Sequence, residues 1–256
     1  MENDVVFLGD CFEYMQTLPD NSVDAVVTDP PYFIENLKID MKDATLRSLS
    51  KNNIFYDEFD HFKDLDDFKS FMSRLLDNYQ RVLREKGQVY LFCSYQHMDW
   101  LLQMIKFKGF RFYKPLIWYK PDMMGVFPNQ YGCNYEVILW FRKRGDKGEV
   151  KFRIGSRQRD VFKCNSTLNS YRKECGYHPT PKPLSVITQL IKNCTDEGDV
   201  VLDTFMGSGT TAVACKNIKR HFLGSEKNKD YYDIITKRLS QKNINFFEEG
   251  ITCQSR

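Results

Sequence analysis

Val200-Val201-Leu202-Asp203-Thr204-Phe205-Met206-Gly207-Ser208-Gly209-Thr210-Thr211-Ala212 decides the fold. An apolar strand ends in Asp203, the chain turns on glycines at 207 and 209, and a helix opens at Thr210. Glycines in such a turn let the main chain approach a ligand with no Cβ in the way. The helix N-terminus beyond them favours a negative group. Nineteen residues after Gly207, past the next strand, Glu226 offers a carboxylate that can accept hydrogen bonds from both hydroxyls of a ribose. Strand, glycine turn, helix and distal acid, in that order, predict a nucleotide-type cofactor cradle. The spacing Gly207-x-Gly209-x-x-Ala212 also fits the dinucleotide fingerprint, so on this stretch alone a nicotinamide enzyme stays in competition.

Outward from the cradle, strands and helices alternate. The pattern predicts strands over 4–9, 23–28, 88–94, 110–118, 136–142, 199–203 and 222–224. Helices are expected over 11–18, 98–107, 182–194, 210–218 and 229–239, and over 65–85, where Gly87 would stop the helix. Residues 33–62 and 120–135 read as loops, and 142–173 carries weak structure signals. Alternation of this kind predicts one α/β domain with a Rossmann-like, mainly parallel sheet covered on both faces.

Composition sets outer bounds. The chain has 256 residues, 42% hydrophobic and 28% charged, an ordinary globular balance with a core of useful size. No apolar run reaches the ~18 residues of a membrane span. The polar start, Met1-Glu2-Asn3-Asp4, precedes no signal-peptide core, so a cytoplasmic protein is expected. Eight cysteines form no CxxC pair and read as scattered reduced thiols, with no metal expected. Cys164, Cys175 and His178 are near one another in sequence, which leaves a zinc site there as the minor alternative. The net charge of +3 is uninformative, but its distribution is not. Between Arg142 and Lys173, eleven basic residues face three acids, a net of +8. Such a stripe is either a phosphate-binding surface or an ordinary solvated face.

Asp29-Pro30-Pro31-Tyr32, at the end of the strand over 23–28, narrows the chemistry. An aromatic exocyclic amine is a poor nucleophile because its lone pair is delocalised into the ring. Two acceptors that take hydrogen bonds from its N–H groups make the nitrogen more pyramidal. Asp29 supplies a carboxylate. Pro30 supplies a main-chain carbonyl held stiff by Pro31. Tyr32 supplies a face on which a base can stack. A proline-stiffened loop explains the tetrapeptide in isolation, but not beside the glycine turn.

Taken together these blocks resemble a known family, the circularly permuted β group of DNA amino-methyltransferases. Gly9-Asp10 followed by Asp29-Pro30-Pro31-Tyr32 resembles its catalytic half, and His178-Pro179-Thr180-Pro181-Lys182-Pro183 its HPTQKP-like block. The stretch 201–211 resembles its cofactor loop, and Gly224-Ser225-Glu226 its ribose-binding acid. The acceptor motif comes first and the cofactor loop, over 203–211, comes last, as in that group. The resemblance implies a seven-stranded methyltransferase sheet, S-adenosylmethionine as cofactor and double-stranded DNA as partner. It implies catalysis by Asp29, Pro30, Pro31 and Tyr32. Cofactor contacts are implied for Asp10, Cys11, Asp29, His178, Thr180, Lys182, Asp203, Phe205, Gly207, Ser208, Gly209, Thr210 and Glu226. Lys182 would pair with the methionine carboxylate, unless it is a surface lysine. Residues 142–177 would form a small target-recognition insertion, with DNA contacts from Lys120, Arg142, Arg144, Arg153, Arg157, Arg159 and Lys163. Trp118 reads as a plain strand aromatic. Thr204, Phe33 and Pro181 depart from the family's usual Pro, Asn and Gln. No separate recognition domain is expected after the last helix, and a cognate restriction endonuclease is a partner the family allows, with the chain a monomer or homodimer.

The implied reaction is direct methyl transfer to adenine N6 of a flipped-out base. Cytosine-C5 chemistry needs a Pro-Cys nucleophile, and the sequence has none. N4-cytosine methylation remains the nearest rival, although relatives doing it tend to carry Ser at the position of Asp29. RNA or protein-glutamine methylation is more distant, since an Asn-Pro-Pro-Tyr variant serves there.

Overall fold

The computed structural model describes residues 2–33, 62–122, 131–145, 153, 155, 158–165, 178 and 180–241. Eight strands form one sheet: β1 (Val5–Leu8), β2 (Val23–Thr28), β3 (Leu83–Cys93), β4 (Phe110–Tyr119), β5 (Tyr135–Lys143), β6 (Val161–Lys163), β7 (Val200–Asp203) and β8 (His221–Glu226). Their spatial order is β1-β8-β7-β2-β3-β5-β4-β6. Every neighbouring pair is parallel except where β5 runs against β3 and β4.

Side chains alternate across the sheet, so β2 sends Val26 to one face and Ala25 and Val27 to the other. Helices α1 (Cys11–Thr17), α2 (Leu65–Val82) and α3 (Met98–Phe107) cover the first face, with Met15, Phe68, Leu75 and Ile105 buried. Helices α4 (Leu184–Cys194), α5 (Thr210–Asn217) and α6 (Lys229–Ser240) cover the second, with Ile187, Ala212 and Ile235 buried. This is the doubly covered α/β sheet that the alternation predicted. None of these helices is long and apolar enough to cross a membrane among the described residues.

Three details correct the sequence reading. The sheet has eight strands rather than seven. The extra one, β6, has three residues and pairs in parallel with the end of β4, Trp118 opposite Phe162. So short a strand has no periodicity to read. The helix expected to reach residue 85 ends at Val82, because Leu83 already pairs with Val23 as strand. Gly87 therefore lies inside a strand, where a Cβ would come within 3.0 Å of the Asp24 carbonyl, and does not stop a helix. Finally, α4 starts at Leu184 rather than at 182, since Pro183 is its extended N-cap and holds Lys182 out of the helix.

The order matters for the site. β7 and β2 are adjacent and parallel, so the cofactor turn and the acceptor motif emerge from the same carboxyl edge.

Candidate active site

Thr28 is the joint between the two motifs. Its hydroxyl donates to Asp203 Oδ1 at 2.8 Å and lies 3.3 Å from Thr204 Oγ1. Thr204 in turn meets the Tyr79 hydroxyl at 2.5 Å, a buried contact that the usual proline at this position would lack. Asp203 also accepts from Phe205 N at 3.1 Å. Burial pushes the Asp203 carboxyl up to about 6, against the pull of Thr211, Thr28 and the Phe205 amide. Thr28→Val is expected to lower stability by about 1–2 kcal/mol, since it removes one of the donors to a buried carboxylate that keeps the Phe205 amide. Urea denaturation measures it, and a loss within error of zero would dismiss the joint.

On the cofactor side, Gly207 and Gly209 adopt left-handed φ of 51° and 78°. A Cβ on Gly207 would sit 2.6 Å from His178 Nε2, so the imidazole packs directly on the turn. The His178 ring lies 4.6 Å from that of Tyr231 and accepts from Thr180 N at 3.3 Å. Burial, with Lys182 and Arg238 nearby, lowers the imidazole to about 3, so it is neutral. Arg238, fully buried, donates to the Ser208 carbonyl, and Ser208 Oγ lies 3.5 Å from Thr210 Oγ1 at the start of α5. Glu226 accepts from Gly207 N at 2.7 Å and from Asn228 N at 2.8 Å. Gly9 N donates to the Glu226 carbonyl at 2.9 Å, which sets Asp10 beside it. The Asp10 side chain caps α1 by accepting from Phe12 N at 2.8 Å. Cys11 is buried in α1, and its thiol is pushed up to about 12 by burial and the Asp10 charge. Phe205 packs 6.0 Å from Phe71. The cradle thus sets a carboxylate at the end of β8 against a glycine turn, a pairing that fits a nucleoside cofactor carrying a ribose.

On the acceptor side, the Tyr32 hydroxyl donates to Asp29 Oδ1 and the Lys182 ammonium to Asp29 Oδ2. Lys182 also lies 3.5 Å from Glu136 Oε2, and Glu136 Oε1 accepts from Lys120 at 3.1 Å. Lys182 is therefore buried, not a surface lysine, and its ammonium meets Asp29 and Glu136. Burial pushes the Asp29 carboxyl up, against the pull of Lys182. Glu136 is half-buried, but the ammoniums of Lys182 and Lys120 outweigh desolvation and hold it below its ordinary value. Pro30, Pro31 and Tyr32 line an apolar pocket with Phe68, Phe92 and His97. Phe33 takes a φ of 46°, and its carbonyl lies 2.7 Å from His97 Nε2.

The residues expected to touch DNA scatter. Arg142 is buried in β5, where its Nε donates to the Tyr113 hydroxyl at 2.7 Å, and Lys120 is buried against Glu136. Neither is on the surface, which corrects the expectation of DNA contact. Arg144 follows β5 at the opposite edge of the sheet, and Arg153 pairs with Asp196 at 2.9 Å before β7, on that same far edge. Arg159 is exposed, and exposed Lys163 ends β6 beside Tyr119 at the site's own edge. Arg157 and most of 142–177 lie outside the described residues, as does Cys175; among the described residues no group of three possible metal ligands occurs. Trp118 is a buried strand residue, its Nε1 donating to the Cys164 carbonyl at 3.0 Å. Glu136 escaped the sequence reading. The one available signal was an acid opening the otherwise apolar run Val137-Ile138-Leu139-Trp140-Phe141.

A doubly covered sheet with a glycine cradle and an acceptor motif on one edge is the architecture of a cofactor-dependent methyltransferase. The chain matches the DNA methylase family over residues 23–237 and belongs to it. It is 30% identical over 253 residues to the type II methyltransferase M2.LlaDCHI of Lactococcus lactis subsp. cremoris, covering 94% of this chain and 90% of that one. It is likewise 30% identical over 248 residues to M2.DpnII of Streptococcus pneumoniae, covering 92% and 89%. Among solved structures, the M1.HpyAVI–SAM complex superposes with a TM-score of 0.67 at 26% identity, covering 92% of this chain and 98% of that one. The cytosine-N4-specific PvuII methyltransferase superposes at 0.72 with 17% identity, over 95% and 89%, a likeness of fold.

Proposed function

We propose that this DNA methyltransferase acts on the N6 amine of adenine in double-stranded DNA. The observation that carries the reading is Asp29, a carboxylate at the tip of β2 tied to the cofactor strand through Thr28 and Asp203. The methyl donor is S-adenosylmethionine, which supplies an electrophilic methyl on a sulfonium. Glu226 would hold its ribose hydroxyls, Asp10 would meet its adenine, and His178 and Thr180 would line the methionine end. Asp29 and the Pro30 carbonyl accept from the two N–H groups of the target amine. Extruding a base costs a few kcal/mol, and stacking on Tyr32 returns ~1–3 kcal/mol of it. The type II names of the relatives support a site-specific modification enzyme that works beside a restriction endonuclease. Lys163, exposed at the end of β6 beside Tyr119, is assigned a phosphate contact. Digesting methylated DNA to nucleosides and weighing the product tests the base: N6-methyl-2′-deoxyadenosine supports the reading, and N4-methyl-2′-deoxycytidine replaces it with the cytosine one.

Cofactor affinity should depend on pH through Glu226. Burial raises this carboxyl from 4.5 to about 7, against the pull of the Asn228 and Gly207 amides. The folded chain holds the proton more tightly than the unfolded one, so this group's contribution to stability falls as pH rises from 4.5 through about 7. Ribose hydroxyls need the ionised form as acceptor. Affinity is therefore expected to rise by about tenfold per pH unit below that point and then level off. Calorimetry across pH on the wild type and Glu226→Gln checks this; a curve of the same shape for both would remove Glu226 from the ribose.

A further inference from the structure

Asp29 is already engaged on both oxygens, by Tyr32 and by Lys182. A carboxylate in contact with an ammonium is a weaker acceptor for a neutral amine, because the ammonium takes the stronger, charge-assisted bond. Asp29 grips the target amine best once Lys182 gives way. It cannot simply withdraw: its side chain is 9% exposed, with the Phe92 and Tyr32 rings 5.4 and 5.9 Å from its nitrogen. An ammonium stranded there without an anion is costly.

Glu136 offers that anion. Its Oε1 is fixed by Lys120, whose own main-chain amide is pinned to the Asn134 carbonyl at 2.7 Å. Its Oε2 is buried, accepts no hydrogen bond, and lies 3.5 Å from the Lys182 nitrogen. A shift of under ~1 Å turns that separation into a hydrogen bond. The geometry points to Glu136 as a positioning residue that takes Lys182 over from Asp29 when the target amine enters, uncovering the acceptor. The ammonium covers Asp29 while the pocket holds no base and stays paired after it leaves. Two carboxylates and two ammoniums keep the cluster neutral in both states. Among the described residues, the remaining ionisable groups that face it are Tyr32, Cys93 and Asp203 around Asp29, and His178 around Lys182.

The inference rests on the amine-acceptor role of Asp29, and the experiment separates the two. Tritium transfer from S-adenosylmethionine to unmethylated genomic DNA is followed for the full chain and for Glu136→Gln, Lys182→Met and the double variant, over a pH series. Cofactor binding is measured in parallel by calorimetry. Glu136→Gln is expected to lower kcat at least about tenfold, with KM for DNA and cofactor affinity within about twofold. Adding Lys182→Met should relieve part of that loss, since no ammonium remains to be moved. Lys182→Met alone should shift the acid limb of the kcat/KM profile to higher pH, because Asp29 in the free enzyme loses the cation that favours its charge. Wild-type turnover in Glu136→Gln, or losses that simply multiply in the double variant, would overturn the hand-over. Should Glu136→Gln fail to bind the cofactor, the acid limb of Lys182→Met decides: a shift upward supports the proposal and an unmoved limb overturns it. Labelling that survives in Asp29→Ala, by contrast, strikes at the acceptor role itself.

Discussion

Asp29→Ala is expected to cut methyl transfer by about a thousandfold or more. In the proposed reaction the carboxylate is the charged one of the two amine acceptors, and the Pro30 carbonyl alone would leave one N–H of the amine ungripped. The cofactor cradle should survive, because its tether to β2 runs through Thr28 and Asp203 and does not include the Asp29 side chain. Lys182 also survives as a buried cation, since Glu136 lies 3.5 Å away. The variant should therefore bind S-adenosylmethionine within about threefold of the wild type, a difference of under ~1 kcal/mol. Asp29→Asn keeps the shape but presents a donor on one side, so it is expected to retain little more activity than alanine. Single-turnover methylation and calorimetry on the same preparations make the measurement. Transfer within tenfold of the wild type would show that Asp29 does not act on the amine.

Much of this arrangement was legible beforehand, and the reasons are physical. The cradle has a local signature, since an apolar strand, glycines and a helix start follow one another in sequence. The acceptor motif is equally local, because consecutive prolines end a strand. The sheet faces were legible from alternation along strands such as β2. What escaped depends on residues distant in sequence. Glu136 sits beside Lys182 only after β5 folds antiparallel to β3, and nothing around residue 136 announces a lysine 46 positions away. The same holds for Arg142, which charge counting placed on a DNA-binding face, and for Lys120, which its loop position assigned to DNA. Each belongs to a strand or its end, and burial beside Tyr113 or Glu136 is decided by pairing rather than by composition. Counting charges assumes that they are solvated; a paired charge inside a sheet breaks that assumption.

Gly224→Ala is expected to be the most damaging single methyl group that can be added near the site. Gly224 lies on β8 opposite Asp203 of β7, and a Cβ there would come 2.3 Å from the Asp203 carbonyl oxygen and 2.7 Å from two atoms of Met206. Met206 can rotate, but the carbonyl is main chain inside a parallel ladder and cannot. The strands must part, and with them go the bonds that shape the cofactor turn. Ser225 Oγ donates to the Thr204 carbonyl at 2.8 Å, and Met206 N to the Ser225 carbonyl at 3.0 Å. Overpacking of this kind costs about 1–3 kcal/mol, and two weakened hydrogen bonds add roughly 1 kcal/mol each. Gly198→Ala makes the comparison fair, because its φ of 86° imposes backbone strain while its Cβ would meet nothing within 4 Å. That control should lose only about 1–2 kcal/mol. Urea denaturation with and without S-adenosylmethionine distinguishes them: Gly224→Ala should be the less stable and should gain little from the cofactor, while Gly198→Ala should gain as much as the wild type. Equal losses in the two variants would mean that close approach of β7 and β8 does not shape the cofactor turn.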